Sequence, residues 1–259
     1  MRSASKVAII TGITKGIGKV IALSFAKEGM NLVGIARNKD DVDRVLDEIR
    51  QEFKIDTLGL GVDVSKSQEV DNILPKTLER FNSIDILVNN AAVGKLDYII
   101  DSKLEDWQNI IDVNLKGVYL CSKTVLGQMI KQKGGRIINI ASICGLKGVP
   151  RYGIYCVSKF GVVGFTEVMA QEAKEHNVIV SAVCPGIVDT GFADNSNYAL
   201  TSPGNMLKPE AVAKLVLHLT KSSQASQICE IYLKPKNRIE RLLKIKQRKT
   251  VIKRIKYLC

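Results

Sequence analysis

Val7-Ala-Ile-Ile-Thr-Gly-Ile-Thr-Lys-Gly-Ile-Gly18 runs from an apolar, β-rich segment straight into a turn holding Gly12, Gly16 and Gly18. The apolar start reads as a buried strand and the following stretch, near 17–28, as a helix. Glycine lets backbone N–H groups come close to a ligand, and a helix N-terminus favours negative charge. A strand, a glycine turn and a helix in that order are the first unit of an alternating pattern. Asn31–Ala36, Leu58–Val62, Asp85–Val88, Arg136–Ile140, Val178–Val183 and Ile228–Leu233 repeat the strand-like composition. Amphipathic stretches near 40–53, 67–81, 104–131, 153–175 and 209–220 separate them. The strands are continuously apolar, as strands buried on both faces are. The pattern predicts an α/β fold: a Rossmann-type, doubly wound parallel sheet of about seven strands with helices on both faces.

Composition is that of a globular chain. Hydrophobic residues make up 46% and charged residues 25% of the 259, enough for a core and too apolar for disorder. No run approaches the roughly 20 apolar residues of a membrane span, and no leader pattern stands at the start, so a cytoplasmic protein is expected. The six cysteines form no C-x-x-C pair, and His176 and His218 are the only histidines. A metal site is not expected. The net charge of +12 would suggest nucleic acid, yet ten of those twelve charges lie after Leu233. Residues 1–233 read as one dinucleotide-binding catalytic domain and 234–259 as a basic C-terminal extension.

The glycine turn is suited to a pyrophosphate. Its G-x-x-x-G-x-G spacing differs from G-x-G-x-x-G. An acid about 20 residues on, at the tip of the second strand, usually bonds a bare ribose 2′-OH. Here Arg37 holds that place, and Lys15 sits inside the turn. Two cations suit a 2′-phosphate, so NADP(H) is expected over NAD(H). Asp40 and Asp41 are read as the start of the next helix.

Tyr155-Cys-Val-Ser-Lys159 sets a phenol and an ammonium four residues apart on one helix face. The ammonium is expected to lower a phenol pKa of about 10 toward the range useful for acid/base chemistry. Ser142 follows the strand Arg136–Ile140, where open sheets place ligands. Cys144 and Cys156 flank the site with no histidine to activate them and read as buried thiols. Trp107 reads as a helix packing residue.

These motifs together resemble the short-chain dehydrogenase/reductase family over residues 6–233. The matching elements are Thr11-Gly-x-x-x-Gly-Ile-Gly18, Asp63-Val64, Asn89-Asn-Ala-Ala92, Asn114, Ser142, Tyr155-x-x-x-Lys159 and Pro185-Gly186. Ala92 stands where the family usually has glycine. The resemblance implies a catalytic set of Asn114, Ser142, Tyr155 and Lys159. Tyr155 would exchange a proton with the substrate oxygen and Ser142 orient it. Lys159 would tune Tyr155 and bond the nicotinamide ribose, and Asn114 would hold a proton-relaying water. It also implies a cofactor site. Gly12, Thr14, Lys15, Gly16, Ile17 and Gly18 would cradle the phosphates, with Arg37 beside the adenosine ribose. Asp63 and Val64 would meet adenine, and Asn90 and Ala91 the adenosine side. Pro185, Gly186, Val188 and Thr190 would meet the nicotinamide, together with Tyr155 and Lys159.

The expected substrate is a small carbonyl compound or alcohol. The loop 191–206 offers Phe192, Tyr198, Leu200 and Met206 for an apolar pocket. The body is similar to 3-oxoacyl-thioester reductases, and Lys131 and Lys133 suit an acidic carrier protein. Glu175-His176 at the second helix end does not, and Lys234-Pro-Lys-Asn237 replaces a usual glycine pair. A general ketone reductase stays open. Apolar residues on the helices near 104–131 and 153–175, among them Val118, Leu126, Phe165 and Val168, suggest a homodimer or homotetramer. The basic tail reads as an amphipathic extension that solvates, packs on a subunit, or meets an anionic membrane or acidic partner. Nucleic acid is not favoured, because aromatic interleaving is nearly absent. Two other classes fit less well: an NADP-binding sensor or scaffold, which has no need of Tyr155 and Ser142, and a sugar-nucleotide epimerase, whose glycine spacing differs.

Overall fold

The computed structural model describes residues 5–192, 206–222 and 228–235. Tyr198, Leu200 and the tail beyond 235 lie outside the described residues. The strands are β1 (Val7–Thr11), β2 (Asn31–Ala36), β3 (Thr57–Gly61), β4 (Ile86–Asn89), β5 (Gly135–Ile140), β6 (Val178–Pro185) and β7 (Glu230–Leu233). They form one parallel sheet in the order β3-β2-β1-β4-β5-β6-β7. The order reverses direction between β1 and β4, and such a switch point opens a crevice at the carboxyl ends of the strands.

The helices are α1 (Gly16–Lys27), α2 (Lys39–Glu52), α3 (Ser67–Val70), α4 (Ile73–Phe81), α5 (Leu104–Ile111), α6 (Gly117–Lys131), α7 (Gly153–Ala173) and α8 (Pro209–Lys221). Period-two side chains on the strands divide the core. Ala8 and Ile10 meet Ile21 and Phe25 of α1 and Val212 and Val216 of α8 on one face. Val7 and Ile9 meet Val125 and Met129 of α6 and Met169 of α7 on the other. The central β1, β4 and β6 are buried along their whole length, whereas edge strands β3 and β7 are half open. Helix α2 shows why these segments are helical. Val42, Val45, Leu46 and Ile49 form one apolar stripe. The Asn38 side chain caps the amides of Asp40 and Asp41, and these two acids sit in the first turn as expected.

The long helix expected over 104–131 is not uniform. Asp112–Lys116 is a π-helical segment between α5 and α6. One extra residue in the turn rotates Asn114 into the interior, where it is fully buried. The helix expected over 67–81 is likewise divided, into α3 and α4. Helix α7 with the turn after it, Gly153–His176, is long and apolar enough by composition to cross a membrane. It packs along the sheet, burying Tyr155, Lys159, Val162 and Met169.

A buried polar chain ties the two central strands to their helices. Asn89 Nδ2 donates to Ser122 Oγ at 2.9 Å and to Asn139 Oδ1 at 2.8 Å. Asn139 Nδ2 donates to Thr166 Oγ1 at 2.8 Å, and Thr166 donates on to the Val162 carbonyl. Replacing Asn139 removes the middle link and strands two buried partners. Asn139→Ala should therefore cost about 2–4 kcal/mol in urea unfolding. A cost below about 1 kcal/mol would mean that the chain relaxes around the gap.

Candidate active site

The crevice begins at the glycine turn. Gly12 and Gly16 have φ of +69° and +55°, values an L side chain resists. A Cβ on Gly18 would lie 2.2 Å from the Gly12 carbonyl oxygen and 2.6 Å from Asn90 Nδ2. Asn90 Nδ2 donates to the Thr11 and Gly12 carbonyls at 2.9 and 3.1 Å. The Asn90 and Ala91 amides both donate to Thr11 Oγ1. Asn90 and Ala91 thus brace the turn from β4. Thr14 and Ile17 complete it and are half-buried. Lys15 precedes α1, makes no side-chain cap, and is exposed. No acid lies in the first turn of α1, so its amides face the crevice without a side-chain carboxylate. The turn fits a pyrophosphate.

The adenosine end is equally defined. Arg37 stands exposed after β2. Burial pushes the Asp63 carboxyl up, but hydrogen bonds from Ser65 N and Oγ at 3.0 and 2.7 Å outweigh it, helped by Lys66 and Arg37. The group stays below the usual carboxylate range and is anionic. Val64 packs against Gly117, where a Cβ would come within 2.9 Å of it. At the other end, Gly186 N donates to the Leu233 carbonyl at 2.7 Å. Val188 bridges to Leu207. Thr190 reaches back to the first turn, 3.2 Å from a Cβ on Gly16. The segment from Pro185 to Thr190 therefore runs from the end of β6 to the glycine turn.

Between these ends stand the four expected catalytic residues. Ser142 Oγ accepts the Cys144 amide at 3.1 Å and bonds the Tyr155 phenol. Lys159 Nζ donates to the Ile140 carbonyl at 2.9 Å and lies 5.6 Å from the Tyr155 ring centre. Asn114 exchanges 2.8 Å bonds with both the amide and carbonyl of Val93. It also donates to Ser158 Oγ at 3.1 Å, and Ser158 donates to the Tyr155 carbonyl. Asn114 thus joins the strand-end loop to the catalytic helix.

The electrostatics differ from the sequence expectation. Burial pushes the Tyr155 phenol up, and nearby Cys144 adds to this; the Ser142 hydrogen bond pulls the other way without winning. Burial lowers Lys159 to about 8. A lysine that is itself close to losing its proton cannot impose a full positive charge on the tyrosine. Cys144 is pushed up to about 12 by burial and by Cys156, so it behaves as the inert thiol expected.

Some contacts carry no sequence signal, although Thr11 stands in the glycine motif and Phe192 in the loop expected to line the substrate pocket. Thr11 holds two amides of the brace. Phe192 packs on Tyr155 with ring centres 5.9 Å apart, and Tyr152 does so at 5.7 Å. Gly94 lies beneath them; a Cβ there would meet Phe192 at 3.0 Å. An aromatic ring near a catalytic position carries no sequence signature apart from its place in the loop. Trp107, read as a helix packing residue, stands on α5 and is 40% exposed. Of the four residues expected at a subunit face, Val168 alone is exposed; Val118 is buried and Leu126 and Phe165 pack partly into the core. The exposed large apolar residues on α5, α6 and α7 are Leu104, Trp107, Tyr119, Val157, Phe160 and Val168, with Tyr98, Ile99 and Ile100 exposed just before α5.

A glycine turn at the switch point and a tyrosine–lysine–serine set one strand away form the arrangement that a nicotinamide-dinucleotide oxidoreductase would need. The chain belongs to the short-chain dehydrogenase family, whose model matches residues 6–200. It acts on C=O and CH–OH groups with a nicotinamide cofactor. It is 42% identical to a 3-oxoacyl-[acyl-carrier-protein] reductase of Synechocystis over 74% of this chain and 78% of that relative. It is 34% identical to one from Thermotoga maritima over 88% and 95%. Among solved structures, an alcohol dehydrogenase of Thermococcus sibiricus complexed with 5-hydroxy-NADP superposes with a TM-score of 0.82 at 29% identity. That match covers 90% of this chain and 97% of the other. A metagenomic short-chain oxidoreductase in complex with NADP gives 0.78 at 30% identity, covering 91% and 99%.

The buried lysine has a measurable consequence. A folded pKa near 8 against 10.5 unfolded means that folding expels a proton between those values. The unfolded chain binds more protons there, so stability rises with pH, and the charge penalty is full below 8. Wild type should gain on the order of 1–3 kcal/mol relative to Lys159→Met between pH 7 and 10. Parallel pH profiles of unfolding free energy would contradict the depressed lysine.

Proposed function

We propose that the chain is an NADP(H)-dependent carbonyl reductase acting on a 3-oxoacyl thioester or a related ketone. The observation that carries this reading is the convergence of Ser142, Tyr155 and Lys159 at the end of β5, beside the glycine turn. Arg37 and Lys15 supply the cations for a 2′-phosphate, and no acid stands at the tip of β2 to take a bare ribose hydroxyl. The NADP complexes among the structural neighbours support the same choice. The names of the relatives support a 3-oxoacyl substrate. An acidic carrier partner finds Lys131 on α6 but Glu175 and His176 after α7, so a general ketone remains the second reading.

Gly12, Gly16, Gly18, Thr14 and Ile17 would hold the pyrophosphate, with Asp63, Val64, Asn90 and Ala91 around the adenosine. Pro185, Gly186, Val188 and Thr190 would bound the nicotinamide. The cofactor supplies the hydride. The Ser142 O–H donates a hydrogen bond to the substrate oxygen and fixes its place. Tyr155 gives that oxygen its proton as negative charge grows there. The raised phenol pKa keeps the proton on Tyr155 until it is needed. Lys159 returns a proton to Tyr155, for which a pKa near 8 is well placed. Asn114 holds the Val93 segment and α7 in register for that relay.

The exposed apolar residues of α5, α6 and α7 support a homo-oligomer, since a patch of that kind on a soluble chain is normally covered. Light scattering reads the assembly directly. A cytoplasmic location is proposed from the relatives alone.

Tyr155→Phe removes the proton and leaves the ring that packs on Phe192. Turnover of 3-oxoacyl thioesters or ketones with NADPH should fall by about a hundredfold or more, with NADPH binding nearly unchanged. Turnover within about tenfold of wild type would remove Tyr155 from the chemistry.

A further inference from the structure

A cavity of about 320 Å³ opens at the outer edge of β3, beyond the adenosine end of the crevice. Arg37, Lys39, Asn72 and Lys76 line it, with the backbone of Gly59 to Val62. Three cations from three places meet there: the tip of β2, the first residue of α2 and the middle of α4. No carboxylate is among the lining residues.

Local structure explains the convergence. Strand β3 is the edge of the sheet, so one row of its N–H and C=O groups has no strand partner. Gly59 and Gly61 lack side chains that would fill the space. A Cβ on Gly61 would lie 3.0 Å from Lys39 Cβ, and one on Gly59 would clash with the Asp43 carboxylate. The two glycines thus let the start of α2 fold down onto the edge strand. Lys39 pairs with Asp43, whose carboxylate lies against Gly59. Arg37 and Lys76 form no ion pair with any described residue, although the charge of Arg37 bears on Asp63.

Two cations without a direct ion pair, a third paired with Asp43, an amide and edge-strand N–H groups suit a compact dianion. A phosphate monoester has that charge and geometry. We infer that Lys76, with Lys39 and Asn72, extends Arg37 into a phosphomonoester pocket at the edge of β3, and that Lys76 is a further determinant of NADP(H) selection. This rests on the NADP(H) reading above. The phosphate arrives either as the cofactor's own 2′-phosphate or on a separate phosphate ester, and the chemistry of the pocket is the same for both. Lys76 lies on α4, far in sequence from the β2 tip, so no motif around Arg37 contains it.

The experiment measures dissociation constants of NADPH, NADH, adenosine 2′,5′-bisphosphate and inorganic phosphate for the intact wild-type chain, Lys76→Gln and Lys76→Arg. Lys76→Gln should weaken NADPH and the bisphosphate by roughly three- to tenfold and leave NADH unchanged. Lys76→Arg should restore most of the loss, and the difference should shrink as salt is added. Unchanged nucleotide binding with weakened inorganic phosphate would keep the pocket and assign it to a separate phosphate ester, overturning the role in cofactor choice. No change for any phosphate probe would overturn the pocket altogether. A wild type that binds NADPH and NADH equally would instead refute the NADP(H) reading, and the inorganic phosphate arm would still judge the pocket.

Discussion

The space at Gly18 sets much of the rest. The helix α1 approaches β1 so closely that a single methyl group there would fall 2.2 Å from the Gly12 oxygen. Only glycine permits that approach, and the approach aims the first amides of α1 into the crevice. Asn90 fills the remaining contact and ties the turn to β4 across the switch point. Thr190 closes on Gly16 from the end of β6. Three strand ends are thus gathered on one turn, and Ser142 after β5 and Tyr155 and Lys159 on α7 stand beside that frame.

The second constraint is burial. Tyr155 and Lys159 sit on one helix face with almost no solvent access. Burial drives their pKa values apart, the phenol up and the ammonium down, because it penalises the charged form of each. Burial thus favours the neutral phenol and the neutral amine and disfavours a standing phenolate. The Ser142 hydrogen bond is the contact that favours developing negative charge on the phenol. Asn114 secures the geometry through Ser158 and Val93, and its π-helical setting is what turns it inward.

The sheet and the order of its helices were legible because buried parallel strands leave uninterrupted apolar runs and the glycine turn has fixed spacing. Arg37 and the Tyr155–Lys159 pair were legible for a similar reason, since each sits at a known offset from a regular element. What stayed hidden depends on tertiary contact. The π-helical segment at Asp112–Lys116 has ordinary helical composition. The partition of Val118 to the core and Val168 to the surface turns on how α6 and α7 roll against the sheet, which their composition does not record. The direction of the Tyr155 shift depends on how deeply the ring is covered, and residues distant in sequence, Phe192 and Gly94, contribute to that.

The central claim is that this site moves hydride to a carbonyl carbon while Tyr155 protonates the oxygen. It is tested most directly by supplying NADPH deuterated at the transferring carbon, with a 3-oxoacyl thioester or ketone as acceptor, and analysing the product by mass spectrometry. The account predicts one deuterium on the carbon that carries the new hydroxyl, and none on oxygen after exchange. Oxidation of the cofactor with no deuterium at that carbon, or no oxidation with any carbonyl acceptor, would contradict it.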